Sequence, residues 1–465
     1  MKMKSNTKSC SLRIQWVILA FLTICFASCK DEDKKESGGF DANKPVIISS
    51  FTPEKGGLGT RLLVYGENFG TDTSKIKVTI GGKNAKVVGV RGNSLYCIVP
   101  NQAYDGSIEL KIVNERGEEL AKAAAENKFT YVKKMIVSTV LGKKDEKGNY
   151  QVKDGPFEDC GGIGGAVWMA FDPKNHDHLY FVGEAHPFRM IDFNKRTLTT
   201  VLGSGYSGMT NMRTLSWTLD QDHLVISNDQ STETGQSNCI FSREGGFKDL
   251  NVVTRSRACN GSAIHPVNGE LYFNQATMGQ VFRYDFETKK TETLFVVQDR
   301  NWDFTIQIHP TGNYAYIVVR NKHYILRTDY DWSTKKFTTP YLICGQPGTA
   351  DWVDGVGKKA RLRRPWQGTF VKNPDYVGKE DEYDFYFCDR ENQCIRILTP
   401  DGKVTTFAGR GGTIINNVYY GHDDGDLRLQ ARFHHPESIV YDEERKCFFI
   451  GDRENRCIRK IGYEE

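Results

Sequence analysis

The chain reads as an all-β protein in two parts, a small two-sheet sandwich followed by a six-bladed β-propeller that its N-terminal strand closes. Three observations predict this. Short alternating segments such as Leu62-Leu63-Val64-Tyr65 and Lys75-Ile76-Lys77-Val78-Thr79-Ile80 stand between glycine-bearing turns, the pattern of half-buried strands. From Lys133 onward a strand, a polar turn and a second strand recur. The plainest copies are Tyr386-Phe387-Cys388-Asp389-Arg390-Glu391-Asn392-Gln393-Cys394-Ile395-Arg396 and Phe448-Phe449-Ile450-Gly451-Asp452-Arg453-Glu454-Asn455-Arg456-Cys457-Ile458-Arg459. Turns at Asp172-Pro173, Asp220-Gln221, His265-Pro266, His309-Pro310, Asn373-Pro374 and Tyr441-Asp442 then mark six units, each expected to supply the four strands of one radial blade.

The N-terminus comes first. Lys2, Lys4, Lys8 and Arg13 precede an apolar run from Trp16 to Phe26 that ends in Phe26-Ala27-Ser28-Cys29. The run is too short and wrongly flanked for a spanning helix, so residues 1–28 read as a secretory signal. Ala27 and Ser28 before a cysteine resemble a bacterial lipobox, which implies that Cys29 is lipidated and that lipid anchors the chain to a membrane. Residues 29–40, charged and glycine-ended, form a flexible tether that cannot bury a core. The acidic cluster directly after Cys29 resembles the surface-export signal of Bacteroidetes lipoproteins. That resemblance implies an outer-membrane location facing the cell exterior.

Composition narrows the function classes. The 465 residues carry a formal charge of +4, and the four cations of the signal account for it, so the exported chain is near neutral. Nucleic acid loses its electrostatic support as a partner. Of 12 cysteines, Cys10, Cys25 and Cys29 belong to the signal region, and the odd remainder has neither a disulfide framework nor a zinc spacing. Cys388 and Cys394 flank a short turn and read as buried thiols, with a hairpin disulfide as the alternative.

Residues 41–132 form the first domain. Ser50-Phe51-Thr52-Pro53-Glu54-Lys55-Gly56-Gly57-Leu58-Gly59-Thr60, then Val64-Tyr65-Gly66-Glu67-Asn68-Phe69-Gly70, Gly81-Gly82 and Phe129-Thr130-Tyr131-Val132 resemble an IPT/TIG domain. The resemblance implies an immunoglobulin-like sandwich, commonly a spacer or interaction module. In residues 133–465, Asp354-Gly355 with Ala360-Arg361-Leu362 and Arg364-Pro365, and Asp424-Gly425 with Ala431-Arg432-Phe433 and His435-Pro436, stand upstream of the two best copies. This order resembles the NHL repeat of β-propellers. A fourth-strand signature appears as Val201-Leu202-Gly203, Ile343-Cys344-Gly345 and Phe407-Ala408-Gly409, while the last unit lacks one and Thr139-Val140-Leu141-Gly142 stands spare before the first. That spare strand is expected to complete the last blade and leave no open edge.

In each blade the inner strand begins, and the second ends, on one face, so two sets of loop residues converge around the central channel. The turn alignment gives Gly165, Arg213, Ala258, Trp302, Trp366 and Glu437 as one set, and Glu184, Asp229, Asn274, Arg320, Asp389 and Asp452 as the other. Trp302 and Trp366 offer a stacking platform, and Arg213, Glu437, Glu184, Arg320, Asp389 and Asp452 directional polar contacts, the combination a sugar ring needs. Plainer readings stand beside these: the tryptophans pack between blades, Asp389 and Asp452 cap their own turns, and Arg396 and Arg459 make inter-blade ion pairs.

The leading function is therefore non-catalytic capture of a glycan or oligosaccharide by a lipoprotein that hands it to an outer-membrane transporter and partner lipoproteins. The alternatives are a polysaccharide lyase or hydrolase and a protein-interaction scaffold. No catalytic residue is assigned and no cofactor is expected. Propellers of this class include metal-dependent lyases with channel histidines, but His265 and His309 fall at turns on the opposite face. His186 and His435 lack a third imidazole, so a channel metal has no ligand set. Asp423-Asp424-Gly425-Asp426 lacks the rest of a calcium loop, and no nucleophile elbow or phosphate loop appears. Glu184 and Glu437 are the pair a glycosidase reading would need.

Overall fold

The computed structural model describes residues 39–142, 145, 147, 149–297, 303–414 and 417–465. The signal, Cys29 and Trp302 lie outside them. The chain divides into two compact units between Lys133 and Lys134. Among the described residues the only helical segments are three-residue 3-10 turns.

The first unit is built on seven strands in the order Ile47–Thr52, Arg61–Glu67, Ser94–Ile98, Lys83–Arg91, Ile76–Ile80, Ile108–Val113 and Glu119–Ala124. Lys83–Arg91 belongs to both halves: Ala85 pairs with Val78, and from Lys86 onward the strand pairs with Ser94–Ile98. A strand that changes sheets in this way folds the two halves face to face. Alternation decides which side chains enter the core. In Arg61–Glu67 every second residue is buried, so Leu62 and Val64 join Ile76, Val78, Ile80, Leu95 and Leu110 while Leu63 and Tyr65 stay exposed.

The second unit contains six antiparallel sheets, each supplying the four strands of one propeller blade, and four of them carry a fifth, two-residue strand. Their inner strands are Trp168–Asp172, Met212–Trp217, Ser262–Ile264, Phe304–Ile308, Pro365–Lys372 and Pro436–Asp442. The sixth blade draws its fourth strand from the start of the unit: Met135–Leu141 pairs with Cys457–Tyr463, from Met135 opposite Tyr463 to Leu141 opposite Ile458. The expected closure is therefore present. Gly142, Gly345 and Gly409 end outer strands at φ of 103°, 88° and 89°, where a Cβ would lie within 2.7 Å of a neighbouring carbonyl oxygen, so glycine is required there.

The repeated Asp-Gly and strand-three Arg positions form a clasp that occurs three times. Asp354 accepts from Arg396 at 2.9 Å and from Thr406 N–H and Oγ1 at 3.2 and 2.9 Å. Asp154 does the same with Arg189 and Thr200, and Asp424 with Arg459 and Thr139. The last copy ties the closing strand to the C-terminal one. Arg396 and Arg459 therefore clasp strands of a single sheet rather than linking blades, because the Asp-Gly segments pair with the outer strands of those same sheets. The nine described cysteines are buried free thiols, Cys388 and Cys394 among them.

Candidate functional site

The mouth of the propeller is where the inner strands start. In three blades the strand begins with a register slip. Met212 pairs with Asn228 and Leu215 with Ile226; Pro365 pairs with Asp389 and Gly368 with Phe387; Pro436 pairs with Asp452 and Ser438 with Gly451. The slips contain Arg213, Trp366 and Glu437, and a bulge of this kind re-aims a side chain. The three are thus equivalent, as the turn alignment expects.

The second set needs correction. In five blades the residue after the second strand donates its N–H to the residue opening the blade: Asp229 to Asn211, Ala276 to Ala258, Arg320 to Asp303, Arg390 to Arg364 and Arg453 to His435, at 2.8–3.3 Å. By this register Arg390 and Arg453 are the partners of Asp229 and Arg320, and Asp389 and Asp452 lie one residue back, inside the wall. Asp389 accepts from Arg363 N–H, Asn392 and Arg396; Asp452 accepts from His434 N–H, Asn455 and Arg459. Both carboxylates are 0% exposed and their bonds are all to their own turns and clasps. Burial pushes both carboxyl groups up, Asp452 to about 6, against the pull of the adjacent guanidinium. Asn274 is likewise committed inside, accepting from the N–H groups of Asn260 and Gly261 and donating to Phe304 O.

The true ring is a circuit of ion pairs. Arg213 bridges Glu184 and Asp229, the latter at 2.6 Å. Arg320 pairs with Asp303. Glu437 accepts from Arg390 Nε at 2.6 Å and from Arg453 at 2.7 Å through one oxygen. Burial pushes the Arg320 guanidinium below its ordinary value; Asp303 and Glu437 hold it up, while Arg213 presses it down. Asp303, Arg390 and Arg453 are the members that sequence reasoning missed. The repeated Asp-Arg pair at 389–390 and 452–453 is the signal that could have found two of them.

Trp366 is not an open platform. It is 3% exposed, packed among Val371, Ile395 and Phe433, with the Arg320 guanidinium 4.0 Å and that of Arg390 5.5 Å from its ring. Covering an indole face with cations is favourable because the ring quadrupole attracts them. Trp366 Nε1 and Glu437 Oε2 are buried and make no hydrogen bond among the described residues. Below this level Gln367 crosses to the first blade, its amide bonded to Met169 N–H and O at 3.0 and 2.8 Å. These two bonds tie the fifth blade to the first across the sixth.

The imidazoles beside the mouth are held neutral. Burial, then Arg390 and His434, push His435 down to about 4, and burial with nearby arginines pushes His186 down. Among the described residues no three His, Cys, Asp or Glu side chains are grouped to hold a metal ion. The mouth thus presents paired charges of both signs, Arg213 with Glu184 and Asp229 and the edges of Arg390 and Arg453, a surface suited to hydroxyl groups.

Sandwich and propeller together define the class: an IPT/TIG domain joined to a six-bladed β-propeller. A family model described as the IPT/TIG domain matches residues 45–131. An auxiliary nutrient binding protein from Bacteroides thetaiotaomicron is 63% identical over 92% of this chain and 100% of its own, with a TM-score of 0.85. One from Bacteroides ovatus is 42% identical over 92% and 100%, with a TM-score of 0.70. A Bacteroides thetaiotaomicron protein called a putative phosphatase is 39% identical over 92% and 99%, with a TM-score of 0.81. No curated protein matches. The chain belongs to the family of these Bacteroides auxiliary nutrient binding proteins.

Proposed function

We propose that the protein captures a nutrient at the outer membrane without transforming it, that the nutrient is a glycan or oligosaccharide, and that Cys29 carries the lipid anchor. The observation that carries this reading is the 63% identity to an auxiliary nutrient binding protein over that protein's full length. The mouth supports it: five blades contribute different charged residues, so Arg213 with Glu184 and Asp229 at one point, and Arg390, Glu437 and Arg453 at another, make an asymmetric hydroxyl-binding surface. Ion-pair edges, rather than the buried Trp366, supply the contacts. The captured sugar passes to a transporter and its partner lipoproteins.

Isothermal titration against plant and host polysaccharides tests the ligand class. Binding should weaken at least tenfold in Arg213→Ala and Arg453→Ala, with substrates recovered intact; absence of heat across the panel refutes capture, and new reducing or unsaturated ends would favour the lyase or hydrolase. Palmitate labelling of cells, lost in Cys29→Ala, together with protease shaving of intact cells, tests the anchor and the exposure.

A further inference from the structure

The face of the propeller opposite the mouth carries a cavity of about 740 Å³ between the fourth and fifth blades. Its volume lies within the range of small-molecule sites, roughly 300–1,000 Å³. Tyr314, Tyr376 and Tyr383 line it together with His309, Asp381 and Lys379.

The loop that walls it is shaped by its own side chains. Asn373 caps the turn Pro374–Tyr376 by accepting from Asp375 N–H at 2.9 Å, Glu382 accepts from Gly378 N–H at 2.9 Å, and Asp381 accepts from Tyr383 N–H at 3.0 Å. Such local caps preform the wall.

Beneath it sits a buried polar group that the fold does not use up. His309 Nδ1 accepts the N–H of Thr311 at 3.2 Å, so Nε2 carries the proton and faces Asp381 Oδ1 at 3.5 Å, beyond hydrogen-bond length. Tyr314 is 3% exposed, and its hydroxyl, His309 Nε2 and Asp381 Oδ2 face one another without a well-formed hydrogen bond, near enough that, against burial, His309 and Tyr314 help hold the Asp381 carboxyl down. Buried polar atoms are normally satisfied, so this cluster marks a place for ligand or solvent hydroxyls.

Two aromatic rings stand at the rim. Tyr376 and Tyr383 are half-buried, with Lys379 Nζ 4.1 Å and Lys372 Nζ 5.6 Å from their respective centroids. The charged lining is close to balanced, three cations against four carboxylates, and Arg327 is already held by Asp329 at 2.7 Å. A strongly charged ligand gains nothing here. An uncharged ligand with an apolar face and hydroxyl edges meets both features.

We infer that this cavity is a second ligand site, taking a short neutral oligosaccharide whose rings rest on both Tyr376 and Tyr383 and whose hydroxyls reach toward the Asp381, His309 and Tyr314 cluster. The inference deepens the nutrient-capture reading and rests on it.

Isothermal titration of the full-length exported chain with neutral hexasaccharides of glucose and xylose, beside an oligogalacturonate as the charged control, tests it. The inference expects neutral ligands to bind and the charged one not to. Tyr376→Ala and Tyr383→Ala should each weaken binding at least tenfold with the thermal midpoint unchanged, while Arg453→Ala at the mouth leaves this component intact. Hydrogen exchange across residues 372–383 provides a readout that needs no variant to fold, and saturating ligand should slow it. Heat that persists in both tyrosine variants, with no protection of 372–383, overturns the second site and leaves capture at the mouth standing. Silence of the wild-type chain toward every sugar, charged or neutral, overturns both.

Discussion

The two faces of the propeller dispose of their charges in opposite ways. At the mouth, bulges in three inner strands bring arginines and carboxylates together until each guanidinium meets an acid, and the one described indole lies covered beneath them. At the far-face cavity the inner-strand ends of the fourth and fifth blades pair without a slip, and a capped loop holds two tyrosines above a buried Asp381, His309 and Tyr314 cluster that lacks well-formed hydrogen bonds. The mouth is a tightly coupled structure that also offers a surface, and the far face is a surface first. Substitutions should therefore cost stability at the mouth and mainly affinity at the far face.

Glu437→Ala should show the largest effect. It removes the acid shared by Arg390 and Arg453 and leaves these partly buried cations only their longer contacts to Glu391 at 3.4 Å and Glu454 at 3.7 Å. Breaking a buried pair by deleting one partner costs about 3–5 kcal/mol, and urea unfolding measures it. A loss below about 1 kcal/mol would mean that solvent, not Glu437, neutralises those guanidiniums.

Acid should be the next most damaging change. His435 is pushed down to about 4 in the folded chain, against about 6.5 unfolded. The folded state then binds fewer protons than the unfolded one, so stability is full above about pH 6.5 and falls as pH drops toward 4. The depressed values of His186, His323 and His434 act in the same direction, while the raised carboxyls of Asp389 and Asp452 oppose them and reduce the net slope. The His435 contribution is up to about 2 kcal/mol once solvent screening of the half-buried ring is allowed for. Thermal midpoints from pH 7.5 to 4.5 should fall, and His435→Gln should flatten part of that slope. An unchanged slope would place the acid sensitivity elsewhere.

The architecture is legible in the sequence because repetition carries it: the strand-turn-strand copies, the Asp-Gly segments and the spare strand at Thr139 each reappear in the structure in the expected place. The equivalence of Arg213, Trp366 and Glu437 is legible for the same reason. What fails is the neighbouring set, where Asp389 and Asp452 displace Arg390 and Arg453 by one position. A main-chain hydrogen bond fixes that register, and main-chain bonds leave no residue signature. Burial of Trp366 is equally invisible, since it depends on Arg320 and Arg390 arriving from two other loops. The far-face cavity goes unread because His309 looks like a turn residue, which it is; its second nitrogen only acquires meaning beside Asp381, 72 positions away in the chain.

Trp366→Phe should cost less than either change above. The smaller ring keeps the apolar packing but weakens attraction to the two guanidiniums, about 1–2 kcal/mol for a desolvated pair. Sugar affinity at the mouth should move by less than threefold, because the indole does not face solvent. A tenfold loss of affinity with stability unchanged would restore the stacking role.

Lys379→Ala should be smallest in stability and is the sharpest probe of the contrast. The side chain is exposed, and its contact with Tyr376 at 4.1 Å is a surface one, so removing it should change unfolding free energy by no more than about 0.5 kcal/mol. The same removal uncovers one face of Tyr376, the face a neutral sugar ring would otherwise have to share with an ammonium group. Affinity for a neutral hexasaccharide should therefore hold or rise, whereas a ligand bound through charge would lose affinity. Titration and urea unfolding of the one variant read both quantities, and a stability cost above about 1 kcal/mol would show that the far face is as tightly coupled as the mouth.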